Sequence, residues 1–366
     1  MSDASVLRIL WIAVVLLILL IALTLFYLVE RKVRRTRHRQ QVAEAVKMFA
    51  APDSPLADYL DSGKESRKLS ASGEGMRREA LEEALLNRLA VSASHTERER
   101  IYKFAAGYFG EEYEYLLNRR RWSDRMNVLL HIEKFKMVGL KATILDRLDR
   151  LGKQSKQDDE RFLLIRTLAS FQAEETLGYM EVAAARFSEL QLMQVLRPLR
   201  DELLDRLIRD FDGLPIRIRR CLLDTLRISN ARTTEVLELL ERSIRSEDKE
   251  SRIRALKALA NFGYMTPEAA DYFESRMAGD EEIIWPERLM HARLAGAVRE
   301  ERFMPHLERM MADPSYEVRR EAAASLAQYR NGLERIGRIA EGHPDRFARD
   351  MAVETLERRA YERNVG

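Results

Sequence analysis

At 366 residues the chain could hold two or three ordinary domains, yet only 16 Gly and 9 Pro interrupt it, and Leu, Ala, Glu and Arg dominate throughout, the composition of an all-helical protein. The single cysteine, Cys221, excludes an intrachain disulfide and a cysteine-based metal cluster. The net charge of +3 hides an asymmetry: residues 1–40 hold seven basic groups and two acids, a surplus of five, so the rest of the chain carries −2 and has no phosphate-facing excess for nucleic acid.

Residues 1–8 read as a short extracytoplasmic N-terminus. From Ile9 to Val29 the chain runs 21 residues without a charge, about 31 Å as a helix against a hydrocarbon core of about 30 Å, which predicts one transmembrane helix over 9–29. Trp11 near one end, with Phe26 and Tyr27 near the other, fits the aromatic belts of a bilayer. The run exceeds the apolar core of a signal peptide, about 7–15 residues, and a basic stretch follows it instead of a small-residue cleavage site. Arg31, Lys32, Arg34, Arg35, Arg37 and Arg39 lie behind the span, whereas only Arg8, opposed by Asp3, lies ahead of it. The positive-inside rule then places the N-terminus outside and the C-terminal body in the cytoplasm, at an inner or plasma membrane of a bacterial cell. The same basic run offers contact to anionic lipid. Residues 30–75 combine this juxtamembrane segment, a few further helical turns in QQVAEAVKMFAA, and a Pro-, Ser- and Gly-rich flexible linker from Pro52 to Gly75.

The body, 76–366, is repetitive. Arg319 is followed at +3, +6, +7 and +10 by Ala322, Ser325, Leu326 and Tyr329, one face of a helix. Arg252 is followed at the same offsets by Ala255, Ala258, Leu259 and Phe262, and Arg349 by Ala352, Thr355 and Leu356. Weaker copies start at Arg98, Arg125, Arg161, Glu189, Arg219 and Arg288, and successive starts are 27 to 36 residues apart. That period accommodates two helices and two turns, with TTEVLELLERSIR, TPEAADYFESRM and FMPHLERMM as the first helices of three such pairs. Small residues at +3 and +6 would let second helices stack closely, while Leu or aromatic groups at +7 and +10 fill the core. The expected architecture is an α-solenoid of about eight or nine helix pairs, clearest over 246–360.

The stretch DPSYEVRREAAASL resembles the HEAT repeat, with Asp313 and Pro314 in the turn, then Val318 and Arg319, then Ala322 and Leu326. This resemblance implies a polar ladder along the stack, with the turn aspartate Asp313 and the helix arginines Arg319, Arg252 and Arg349 as its rungs. Glu189 replaces the arginine in its unit, and the 286–298 unit lacks the alanine at +3, so the ladder is expected to break there.

Catalytic patterns are missing from the sequence. The six histidines form no HExxH, His-x-x-x-His or His-Glu pattern, and no GxxxxGK[ST], GxGxxG or GxSxG occurs. The HEAT-like di-iron hydroxylases carry repeated His-Glu pairs that are absent here. His131 and His291 lie in core register, as structural histidines do. One stretch has the residue types of a binding surface: Tyr113, Tyr115, Arg119, Arg120, Arg121 and Trp122, where the chain should turn between helices. Trp285 is a second candidate. The sequence thus points to a membrane-anchored, non-catalytic scaffold with no cofactor, no metal, no nucleic acid and no identified small-molecule substrate, binding a protein that is itself membrane-associated. The competing readings are a HEAT-like enzyme of lyase or glycosylase type, which requires a deep pocket with convergent polar groups, and an anionic-lipid-sensing adaptor.

Overall fold

A computed structural model describes residues 3–63, 75–91, 94–152, 157–279 and 283–365, with the side chains of residues 3–10, 13–15, 75, 76 and 363–365 outside the described set. Among the described residues there are helices and 3-10 turns and no strand, as expected of an all-α chain. The molecule divides into two compact units, residues 1–147 and 148–366.

In the first unit α1 (Asp3–Ala50) is one continuous helix, followed by α2 (Pro55–Ser62), α3 (Gly75–Ala90), α4 (His95–Asn118) and α5 (Trp122–Lys134), with α6 (Lys141–Leu151) at its end. Part of the segment expected to be a flexible linker is therefore helical. Ser54 caps α2 by accepting from the Ala57 N–H, Pro55 occupies its first turn, and Leu56, Tyr59 and Leu60 are buried; the linker residues 64–74 lie outside the described residues. Rings order the core around α4: Phe109 stacks on Tyr113 at 5.5 Å and on Phe135 at 6.0 Å. The weak repeat copies starting at Arg98 and Arg125 do not mark two equivalent second helices. Arg98 lies in α4 and Arg125 in α5, consecutive helices packed as one pair.

The expected localisation is corrected. Among the described residues no helix is long and apolar enough to cross a membrane. Residues 1–2 and the side chains of Ile9, Leu10, Ala13, Val14 and Val15 fall outside the described set. Arg31, Lys32, Arg34, Arg35, Arg37 and Arg39 lie within α1, where Arg34 pairs with Glu30. One turn further, His38 Nε2 lies 2.8 Å from Glu79 of α3, and Val42 is buried.

The second unit comprises α7 (Asp158–Ser170), α8 (Glu175–Ala183), α9 (Glu189–Leu196), α10 (Asp201–Arg209), α11 (Ile216–Ile228), α12 (Thr234–Ser243), α13 (Lys249–Phe262), α14 (Pro267–Ala278), α15 (Trp285–Val298), α16 (Met304–Met310), α17 (Tyr316–Leu326), α18 (Gly332–Gly342) and α19 (Arg346–Val365). The odd-numbered helices pack consecutively from α7 to α19. Even-numbered helices lie against them, as α12 does on α13 and α16 on α17, and they also touch each other, α10 on α12 and α16 on α18. This is α-solenoid packing, in which each pair buries its apolar face only against its neighbours.

Small residues set the approach of the odd helices. Ala255, Ala258, Ala322 and Ala352 are buried between them. The tightest point joins α15 to α17, where a Cβ added to Gly296 would lie 2.5 Å from Ser325 Cβ and 2.9 Å from its Cα. Tyr329 then closes the contact by donating its hydroxyl to the Ala295 carbonyl at 2.7 Å. Gly178 in α8 has no atom within 4 Å of such a Cβ. Two glycine-to-alanine substitutions should therefore act with opposite sign. Gly296→Ala should destabilise the protein by about 1–3 kcal/mol through overpacking, and Gly178→Ala should stabilise it by about 0.5–1 kcal/mol through helix propensity. Urea unfolding followed by circular dichroism checks both, and equal shifts would refute the close-approach account.

Candidate functional site

One arginine recurs at the fourth residue of several helices: Arg125 in α5, Arg252 in α13, Arg288 in α15, Arg319 in α17 and Arg349 in α19. In each it folds back over the preceding turn, whose carbonyls have no helical partner. Arg125 Nη1 donates to the carbonyls of Arg119 and Arg120, both at 2.8 Å. Arg252 Nη1 does the same to Ser246 and Glu247, Arg319 Nη1 to Asp313 and Pro314, and Arg349 Nη1 to His343 and Pro344. Arg288 Nη1 donates to the Ile283 carbonyl.

In the second unit the other edge of the guanidinium reaches the next pair. Arg252 grips Glu287 with Nε at 2.8 Å and Nη2 at 2.9 Å. Arg288 grips Asp313 with Nε at 2.6 Å and Nη2 at 3.0 Å. Arg319 meets a ring instead, with Phe347 centred 5.0 Å from its guanidinium carbon. One step earlier, Arg220 and not Arg219 makes the contact, holding Asp248 through Nε at 3.0 Å and Nη2 at 2.5 Å. The expected break at the 286–298 unit does not occur, because Arg288 and Asp313 make their contact without an alanine at +3. Glu189 sits where a rung arginine is missing, and it accepts from Arg254 of α13 at 3.0 Å.

The aromatic and arginine cluster gathers in the first unit, at the α4–α5 turn fixed by Arg125. Tyr115 and Trp122 expose 62% and 48% of their surface, and Arg119 lies over the Tyr115 ring at 5.4 Å. Arg120 and Arg121 are exposed, and Arg119 and Arg121 approach Asp124 at 3.4 and 3.7 Å. Tyr113 does not belong to this surface. It is 1% exposed, its ring is stacked in the α4 core, and its hydroxyl donates to Glu82 Oε1 at 2.6 Å and lies 3.3 Å from His131 Nδ1. Trp285 opens α15 in the second unit with 48% of its surface exposed.

Tyr113, Glu82 and His131 line a polar cleft of about 590 Å3 together with Arg78, Glu112 and Arg119. Sequence reasoning missed Arg78, Glu82 and Glu112, since charged residues on an amphipathic helix carry no mark of burial. Burial, then the Glu82 carboxylate, pushes the Tyr113 hydroxyl far up, so it keeps its proton. Burial also pushes His131 down from its ordinary value, against the pull of Glu82. Arg78 lies 3.7 Å from Glu82 and pairs with Glu112. These groups tie α3, α4 and α5 together, although Arg78 Nε makes no hydrogen bond. Cys221 is also buried, and burial pushes its thiol up to about 11, so it stays protonated.

The Arg252–Glu287 pair is desolvated, with side chains 14% and 2% exposed. Arg252→Met should cost about 3 kcal/mol or more, because it strands a buried carboxylate; a chemical denaturation midpoint indistinguishable from wild type would refute the rung. Asp248 supplies a pH test. The Arg220 hydrogen bonds hold its carboxyl well below the usual carboxylate range. Its contribution is thus present above the unfolded-state pKa of about 3.9 and lost as pH falls below it through the folded value. Asp248→Asn should remove that part of the acid limb, so wild type and variant converge in stability between about pH 4 and the acid transition. Parallel melts at stepped pH measure this.

No curated protein matches the chain. Among solved structures it is similar to an engineered protein, 14% identical over 87% of this chain and 98% of that one, with a TM-score of 0.34. It is also similar to a chain of the Pds5–Scc1 complex, 11% identical over 88% of this chain with a TM-score of 0.31, and spans 60% of that chain. Karyopherin Kap121p bound to the extreme C-terminus of the protein phosphatase Cdc14p is 12% identical over 87% of this chain with a TM-score of 0.34, and the chain spans 41% of its length. Likeness at these scores does not bear on function. Residues 303–329 match the HEAT repeat family, and the chain therefore carries a HEAT repeat across α16 and α17.

Proposed function

We propose that this chain is a HEAT-type helical scaffold that binds a protein partner through the α4–α5 turn. The observation that carries the reading is the pair of exposed aromatics, Tyr115 and Trp122, set among Arg119, Arg120 and Arg121 on a turn whose backbone is clamped by the buried Arg125. Tyr, Trp and Arg dominate binding hot spots because each couples a large apolar face to a polar tip, and a fixed backbone reduces the ordering cost of association. The partner surface should be acidic with an apolar slot for the indole. Trp285 would serve as a second, independent contact. Asp313, Arg319, Arg252 and Arg349 take a structural part in this proposal, holding successive pairs in register. The Tyr113, Glu82 and His131 cluster supports rigidity, since its polar atoms bind each other.

A chain with Trp122→Ala, Arg120→Glu and Arg121→Glu should retain the wild-type melting temperature, because all three side chains are exposed, and should lose capture of the partner that the wild-type chain retains in parallel pull-downs scored by mass spectrometry. Binding that survives these changes but disappears with Trp285→Ala would move the site to the second unit. Survival of both sets of changes would refute the proposal.

A further inference from the structure

Of the arginine clasps on α13, α15 and α17, the first two are closed. Arg252 and Arg288 each hold the preceding turn with Nη1 and grip a carboxylate of the next pair, Glu287 or Asp313, with Nε and Nη2. Arg319 holds its own turn in the same way, through Nη1 to the carbonyls of Asp313 at 2.7 Å and Pro314 at 3.0 Å. Its other edge meets no acid. Among the described residues Nη2 makes no hydrogen bond, and Nε is shielded from solvent without a partner. Buried polar groups ordinarily find one.

The acids around Arg319 are engaged elsewhere. Asp313 is gripped by Arg288, Glu317 lies 2.9 Å from Arg320, Asp345 accepts from the Ala348 N–H at the start of α19, and Asp350 lies 3.5 Å from Arg346. Where the closed clasps meet a carboxylate, this one meets a ring. Phe347 of the next pair is centred 5.0 Å from the Arg319 guanidinium carbon, and Tyr316 lies 5.8 Å from it. Phe347 exposes 61% of its surface and Tyr316 46%. A ring so exposed gains little from its contact with the cation, whereas a carboxylate bound through two parallel N–H groups is among the stronger polar pairs.

We propose that this open clasp docks an acidic side chain, a glutamate or aspartate on an extended segment of another protein, with Phe347 as a displaceable cover and Tyr316 as an apolar wall. The ladder itself identifies the occupant, since each closed clasp takes one carboxylate from the next pair and here the next pair supplies none. The incoming carboxylate accepts from Nε and Nη2, and the residue beside it packs on the Tyr316 ring. The site belongs to the second unit and does not depend on the α4–α5 turn.

The probe is acetyl-Gly-Leu-Glu-Leu-Gly-amide, whose only carboxylate is the side chain, added to the purified full-length chain. The Arg319 Nε–H signal in NMR, assigned by its loss in Arg319→Lys, should move on titration, and the same peptide with Gln in place of Glu should bind about tenfold more weakly or worse. Phe347→Glu, at an exposed position, should close the clasp from within and abolish binding. Phe347→Gln removes the ring without adding charge and should bind at least as tightly as wild type. Arg319→Lys should weaken binding by about tenfold or more, because lysine keeps the charge and loses the fork; if it also lowers the melting temperature, the two Phe347 variants decide. An Arg319 signal unmoved at millimolar peptide overturns the proposal, as do equal binding of the Glu and Gln peptides, a Phe347→Glu chain that binds like wild type, and loss of binding in Phe347→Gln. Acetate that binds as tightly as the peptide overturns a protein segment as the occupant. In the chain with Trp122→Ala, Arg120→Glu and Arg121→Glu the Arg319 signal should still move; peptide binding that vanishes there overturns this inference and leaves the α4–α5 proposal standing.

Discussion

The arginine at the fourth residue of the repeated helices is the interaction on which this architecture turns. A helical hairpin must bend its backbone sharply, and the bend leaves carbonyls outside any helical ladder. Arg252, Arg319 and Arg349 each place one nitrogen between two such carbonyls, which ties the turn to the helix that follows it. Because the guanidinium is planar and rigid, binding one edge fixes where the other edge points. That second edge points at the next pair, where Glu287 and Asp313 wait for Arg252 and Arg288. A single residue type thereby couples the geometry inside a repeat to the geometry between repeats.

Net stability comes from elsewhere. A buried ion pair is worth little against a well-packed apolar substitute, since desolvation offsets most of its attraction. The driving force is burial of Leu, Phe and Met side chains such as Leu259, Phe273, Phe303 and Leu326, all but fully removed from water. Apolar burial alone does not dictate register, however, because neighbouring helices could slide by a turn and still cover similar area. The alanines and Gly296 permit close approach, and the arginine clasps select which close approach is used. The two act on different parts of the problem.

Much of this was legible in the sequence, and for a physical reason. Offsets of +3, +6, +7 and +10 report a helix face directly, so the sequence alone draws the odd layer at Arg252, Arg319 and Arg349. The rungs were harder. Asp313 stood out because a Pro follows it, whereas Glu287 and Asp248 resemble any other acid on a charged helix, and only three-dimensional neighbours distinguish them. The continuity of the ladder through α15 escaped sequence reading for the same reason. At the N-terminus the apolar run dominated the reading, while Val42 and the turn at Ser54 were the weaker signals that α1 and α2 join a folded unit. Tyr113 lies in line with Phe109 on the hydrophobic period of α4, a sign of burial that its hydroxyl and its arginine-rich neighbours outweighed.

Placement of function on such a scaffold follows from what each side chain is left to do. Arg125 clamps the α4–α5 turn, and the exposed side chains of Arg119, Arg120 and Arg121 extend from that clamped backbone. Arg288 is consumed on both edges, whereas Arg319 is consumed on one. Arginines at the fourth helical residue, such as Arg252 and Arg288, are spent on the fold, and so are Arg220 and Arg254 at other positions. A solenoid built this way can vary its binding surfaces, provided the substitutions avoid the clasp, the rung carboxylates and the small residues at the helix contacts. Tyr115 and Trp122 satisfy that condition, since neither holds a turn or a rung.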